Sequence, residues 1–198
     1  MLDKSGSRPG TVDKDYIEER VINTLNYYYF NSAHLCFISM GSDYINYISS
    51  SFTLANNYKE LFNLNHVSGA LNIYIPYKTY SGTFSGVAKD IISNACVIQL
   101  DRYDSTTVPH EIGHCFGLYH THTGTAKLWH SGYYDGENTV PEYVDGSNST
   151  IAGDYIADTD ADPNLWSIRG TYSGGPNVVD GHGQQYKPDP QNLMSYNG

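Results

Sequence analysis

Eleven consecutive residues constrain this chain more than any other stretch: His110-Glu111-Ile112-Gly113-His114-Cys115-Phe116-Gly117-Leu118-Tyr119-His120. They read H-E-x-x-H-x-x-G-x-x-H. Four apart on a helix, His110 and His114 share one face, so their imidazoles can ligate a single zinc ion. Glu111 sits beside the first ligand, toward the open side of the metal, where it can take a proton from a zinc-bound water. Gly117 allows a left-handed turn that ends the helix, a conformation glycine enters without steric cost. The chain then doubles back and brings His120 in as third ligand. Three protein ligands leave one position open, the arrangement of a catalytic rather than a structural zinc. The short form H-E-x-x-H arises by chance on amphipathic helices; Gly117 and His120 in register make accident a poor account.

A second signal lies near the C-terminus, at Asn192-Leu193-Met194-Ser195-Tyr196. It reads as a methionine in a tight turn, the companion of the longer histidine pattern. Met194 is expected to form a hydrophobic base beneath the metal without ligating it. Tyr196, two residues on, is expected to aim a phenol toward the same site.

At 198 residues the chain is most simply one domain with a sizeable core. The histidine segment closes an upper part, residues 1–120, and a loop-rich lower part covers 121–198. A net charge of -10 argues against a nucleic-acid partner. No apolar run is long enough to span a bilayer. The first residues hold no apolar signal core, so the expectation is a cytosolic protein or one whose leader has been removed. Cys36, Cys96 and Cys115 permit at most one disulfide and one leftover thiol. Cys115, inside the histidine helix, reads as buried packing.

Along the chain, residues 1–12 read as a flexible arm. Asp13 or Asp15 is placed to cap a helix over Tyr16–Phe30, where Ile17, Val21, Ile22, Leu25, Tyr28 and Tyr29 recur at helical spacing. Leu35–Met40 and Tyr44–Ile48 read as short strands, and Tyr58–Leu61 as a short helix. Leu71–Pro76 is the clearest strand, and 77–87 a loop with Gly82 and Gly86. Ala95–Leu100, almost continuously apolar, reads as a strand inside a sheet. Ser105, Thr106 or Thr107 caps the histidine helix. The expected fold is α/β: a twisted, mostly parallel sheet with a backing helix and a zinc-site helix, then the loop-rich part with its Met-turn.

With both halves of the signature in hand, the chain resembles the metzincin zinc endopeptidases, and among them the pappalysin, ulilysin-like family. Leu71–Ile75 is similar to that family's edge strand, and Ser85-Gly86-Val87-Ala88 to the motif that follows it. Gly153-Asp154-Tyr155-Ile156-Ala157-Asp158-Thr159 resembles the family's G-D-x-V-x-D-T-P segment, with Asp160 in place of the proline. The family's second-half cysteines are missing, since no Cys follows Cys115.

The resemblance implies one catalytic zinc on His110, His114 and His120, with Glu111 as base and Tyr196 as a hydrogen-bond donor. It suggests a structural calcium held by Asp154, Asp158 and Thr159. It also implies a secreted or cell-surface monomer acting on peptide or protein, the substrate lying along the Leu71–Ile75 strand. Two other functions stay open: a catalytically weak, metal-bearing binding or adhesion module, and a zinc hydrolase of a non-peptide amide. An EF-hand reading of Asp158, Asp160 and Asp162 fails, because Pro163 and Arg169 stand where Gly and Glu are required. The remaining histidines, His34, His66, His122, His130 and His182, read as surface or hydrogen-bonded residues.

Overall fold

The structure is a computed structural model that describes residues 13–45, 54–76, 84–100, 103–123, 142–163 and 179–196, with the side chains of 54–57 excepted. The expected arm at 1–12, most of the expected strand at 44–48, His130 and Arg169 lie outside the described residues. The chain divides into two compact units, Met1–Gly117 and Leu118–Gly198.

The first unit is mixed α/β. Helix α1 (Lys14–Ala33) starts at Asp13, whose carboxylate accepts from the Asp15 N–H at 2.9 Å. It ends at His34 in the left-handed region, φ 55°. Val21, Leu25 and Tyr29 are its buried stripe, as the spacing predicts. The next segment is not the expected strand. Asn26 on α1 accepts from the Phe37 N–H at 2.7 Å and donates to the Phe37 carbonyl at 3.0 Å. A side chain thus meets the backbone needs that a neighbouring strand would meet. Leu35, Ile38 and Met40 are exposed accordingly.

Helix α2 (Leu54–Leu61) is followed by strands β1 (Asn72–Tyr74), β2 (Gly86–Ala88) and β3 (Ala95–Ile98), in sheet order β1-β3-β2. β1 runs parallel to β3, and β2 antiparallel. The sheet is therefore mixed rather than mostly parallel. The cause is connection length: residues 89–94 form a link suited to a hairpin and too short for a parallel crossover. Gly86 and Val87, expected at the end of a loop, belong to strand β2 instead, and residues 77–83 of that expected loop lie outside the described residues.

β3 is buried along its whole length, so both of its faces are covered. On one face Ala95 and Val97 pack with Leu61, Phe62 and Tyr74. On the other, Cys96 meets helix α3 (Thr107–Cys115). α1 also packs on α3, where the buried Tyr29 phenol donates to the Pro109 carbonyl at 2.7 Å. Burial pushes that phenol well above its ordinary pKa. Tyr29 is therefore a packing residue, as its place at helical spacing predicts.

The second unit has little regular structure among its described residues. Side chains hold its loops. Asp180 accepts from Val144, His182 and Gln184 N–H groups at 2.8–2.9 Å. The Tyr186 phenol donates to the Glu142 carbonyl at 2.8 Å. An isolated antiparallel bridge joins Val179 and Gln185. Among the described residues, no helix is long and apolar enough to cross a membrane.

Candidate metal centre

Helix α3 carries the first two histidines, and the chain around it fixes both ends. Ser105, Thr106 and Thr107 were the expected caps. Thr106 is indeed the N-cap residue, but its side chain makes no capping hydrogen bond, and the Asp104 carboxylate supplies the acceptor instead. Its Oδ1 accepts from the Thr106 and Thr107 N–H groups at 2.8 Å each, and from the Thr106 hydroxyl at 2.7 Å. Burial pushes the Asp104 carboxyl up, but these hydrogen bonds outweigh it and hold its pKa below the usual value. Pro109 falls in the first turn, where its missing N–H costs nothing.

At the other end, the loop before β3 covers the last carbonyls: Ile92 N–H bonds to His114 O at 3.0 Å and Ser93 N–H to Cys115 O at 3.1 Å. Ile92 reaches that position in the left-handed region, φ 61°, a strained place for a β-branched residue. Gly117 has φ 98°, the turn that the motif predicts for it. Its N–H returns to His114 O at 2.9 Å.

The two helix histidines stand with ring centroids 4.8 Å apart and planes at 89°. Each of His110, His114 and His120 brings a ligand nitrogen to within 4.8 Å of the others. This is the only converging group of three or more His, Cys, Asp or Glu side chains among the described residues. Nitrogens around a tetrahedral ion at about 2.1 Å stand roughly 3.4 Å apart, a spacing that small side-chain rotations reach from here. Imidazoles suit a transition metal, so the three residues present fit such an ion.

Glu111 is 7% exposed and lies against β2. Burial pushes its carboxyl up to about 8, opposed by a hydrogen bond from the Ala88 N–H, with Cys115 adding to the rise. The ladder explains that bond. Lys89 and Gln99 N–H groups bond to Ala95 and Ser85 carbonyls across β2 and β3, so Gly86 and Ala88 turn their backbone groups away from β3. Glu111 sits on that outer edge. A Cβ on Gly86 would lie 2.7 Å from Glu111 Cγ and 2.9 Å from Thr107 Cγ2. Gly86 is therefore required for close approach, a role its place in an expected loop did not reveal. The strand beside Glu111 is β2, whereas the expected substrate strand, β1, is the opposite edge of the sheet.

In the second unit, His120 lies among aromatic rings. Tyr196 is 4.6 Å from it, and His122 stacks parallel to it at 5.0 Å. The turn at 192–195 forms as expected, with Met194 N–H donating to Asn192 Oδ1 at 2.9 Å and Ser195 N–H to Asn192 O at 2.9 Å. Met194 is buried, and its carbonyl accepts from the Thr121 N–H at 3.2 Å. Asp162, fully buried, fastens the same two segments: its Oδ2 accepts from the Thr121 hydroxyl at 2.5 Å and the Ser195 hydroxyl at 3.0 Å. Sequence reading met Asp162 only as a failed EF-hand position. No local spacing signals a clamp between residues so far apart along the chain.

The suggested calcium residues are not gathered in the same way. Asp154 is buried; burial pushes its carboxyl up against bonds from the Ile156 N–H and the Thr159 hydroxyl. Asp158 is exposed. Of the other histidines, His182 stacks on Tyr143 at 4.0 Å and reaches Asp145 at 3.1 Å, and His66 pairs with Asn94. The three cysteines are free thiols.

Fold and site together define a small mixed α/β domain whose helix α3 contributes to a three-histidine cluster able to hold a metal ion. The chain matches no family model, no curated protein and no solved structure.

Proposed function

We propose that this chain is a zinc-dependent endopeptidase. The observation that carries the reading is the convergence of His110, His114 and His120 within 4.8 Å, with a buried Glu111 on the same helix. Zinc, when bound, supplies a Lewis acid that polarises the scissile carbonyl and makes water more acidic. Glu111, its carboxylate favoured against burial by a zinc ion beside it, takes the proton of the attacking water and delivers it to the leaving amine. The Ala88 N–H holds the Glu111 carboxylate in place for both transfers. The Tyr196 phenol, beside the His120 ring, donates to the carbonyl oxygen as it gains negative charge. Met194 fixes the turn that carries Tyr196.

An extended peptide pairs with the outward-facing backbone of Gly86 on β2, beside Glu111, which keeps the Ala88 N–H. A calcium ion at the 154–159 loop belongs to the same proposal on the resemblance alone, since Asp154 is buried there but already accepts from the Ile156 N–H and the Thr159 hydroxyl. If it binds there, the melting temperature rises with calcium and Asp158→Ala blunts the rise. Equal melting curves with calcium and with a calcium-selective chelator reject it.

The deciding experiment is a peptide library incubated with the protein, with and without a zinc chelator. Cleavage is expected, lost on chelation and restored by zinc. Glu111→Ala is expected to retain zinc and to lose roughly a hundredfold or more in turnover. A zinc-loaded protein that cleaves no peptide is a binding module or a hydrolase of another amide, and the proposal then falls.

A further inference from the structure

We propose that Cys96 and Cys115 form a reversible disulfide that fastens the histidine-bearing helix to the central strand of the sheet. Cys96 is fully buried on β3, and Cys115, 4% exposed, is the last residue of α3. Their side chains meet where α3 packs on β3, the Cys115 sulfur lying against the backbone that leads into Cys96. The surroundings hold them in that pairing. Cys115 Sγ donates to the Ala95 carbonyl at 3.6 Å, and Ser93 Oγ donates to Cys115 Sγ at 3.4 Å. The Ser93 N–H bonds to the Cys115 carbonyl at 3.1 Å. Three hydrogen bonds therefore pin Cys115 to the residues immediately before Cys96. A buried thiol read as inert packing has no need of a second thiol as its partner. The third cysteine, Cys36, is exposed and belongs to another segment.

The oxidant is a peroxide, small enough to reach a thiol with so little exposed surface. Cys115 takes oxygen from hydrogen peroxide, giving a sulfenic acid and one water. The Cys96 sulfur then attacks the Cys115 sulfur, the S–O bond breaks, and hydroxide leaves with the Cys96 proton as a second water. Two electrons pass from the thiol pair to the peroxide, and a small dithiol returns them. Because Cys115 adjoins His114, the cross-link ties the end of the histidine helix to β3. None of this rests on the metal or on peptidase activity.

The test uses the full chain carrying Cys36→Ser, so that the exposed thiol cannot exchange. Folded protein is treated with hydrogen peroxide, then denatured, alkylated and analysed by mass spectrometry. Both thiols are expected to resist alkylation afterwards, with a peptide pair joined through Cys96 and Cys115, and dithiothreitol is expected to restore them. Adding Cys96→Ser is expected to leave a Cys115 sulfenic acid that dimedone traps. Amide exchange across residues 107–115 is expected to slow in the cross-linked protein.

Two free thiols after treatment, or a link that forms only in denaturant, would overturn the proposal. So would oxidation of Cys115 to sulfinic acid with Cys96 still free. A cross-link that leaves the exchange of 107–115 unchanged would overturn the fastening.

Discussion

Tyr196 and Gly86 carry the sharpest consequences at the scale of single residues. Tyr196 lies 4.6 Å from the His120 ring and follows directly on the turn that holds Met194. A neutral phenol, with an ordinary pKa near 10, donates a hydrogen bond at neutral pH. In the proposed peptidase reaction such a bond would strengthen as the carbonyl oxygen charges, lowering the barrier more than it tightens substrate binding. Tyr196→Phe keeps the ring and removes the donor. The expected result is a fall in kcat of roughly ten- to a thousandfold, with KM little changed and the metal retained. An unchanged kcat on one cleaved peptide returns Tyr196 to packing. Gly86 acts through space rather than chemistry. A methyl there meets the Glu111 side chain at 2.7 Å and the Thr107 methyl at 2.9 Å, so one of them must move. Overpacking of this kind costs about 1–3 kcal/mol. Gly86→Ala is expected to lower both the melting temperature and kcat. Equal activity and stability in calorimetry and kinetics would mean that Glu111 does not sit where the structure has it.

At the scale of elements, α3 depends on contacts that lie outside its own periodicity. Asp104 caps it from two residues before Thr106, and Ile92 and Ser93 cover its last carbonyls. Removing a side-chain acceptor from a helix N-terminus costs about 1 kcal/mol of stability. Asp104→Ala is expected to show that loss in urea unfolding at pH 7. The hydrogen bonds depress the folded-state pKa, so the stabilisation is present above the unfolded value near 4 and is lost as pH falls through the folded one. Wild type and variant should therefore converge in strong acid; a constant gap down to low pH would assign the loss to something other than the carboxylate. Asp104→Asn, which keeps an acceptor, should recover part of the difference.

At the scale of the molecule, the second unit is stabilised by buried polar groups, and that makes it sensitive to pH. Glu142 is 1% exposed, and burial together with Asp154, Asp162 and Asp160 pushes its carboxyl up to about 8. A raised folded pKa favours the protonated form in the fold. Its contribution is fully present below the unfolded pKa of about 4.3 and is lost as pH rises through about 8. Melting temperatures are therefore expected to fall between pH 5 and pH 9, counted in whole units. Glu142→Gln is expected to flatten that fall; a slope unchanged by the substitution would place the titration elsewhere. The sequence by itself determined the features that repeat within a few residues. Helix α1 and its Asp13 cap, the apolar β3, the register of His110 and His114, the Gly117 turn and the turn at Met194 all follow from local sterics and periodicity. Only the tertiary structure decided the mixed sheet, the placing of β2 rather than β1 beside Glu111, the Asn26 side chain that replaces a strand partner, and the Asp162 clamp. Each of these joins residues distant along the chain, and such a contact leaves no period or spacing to read, because its energy is settled by which surfaces meet when the chain closes.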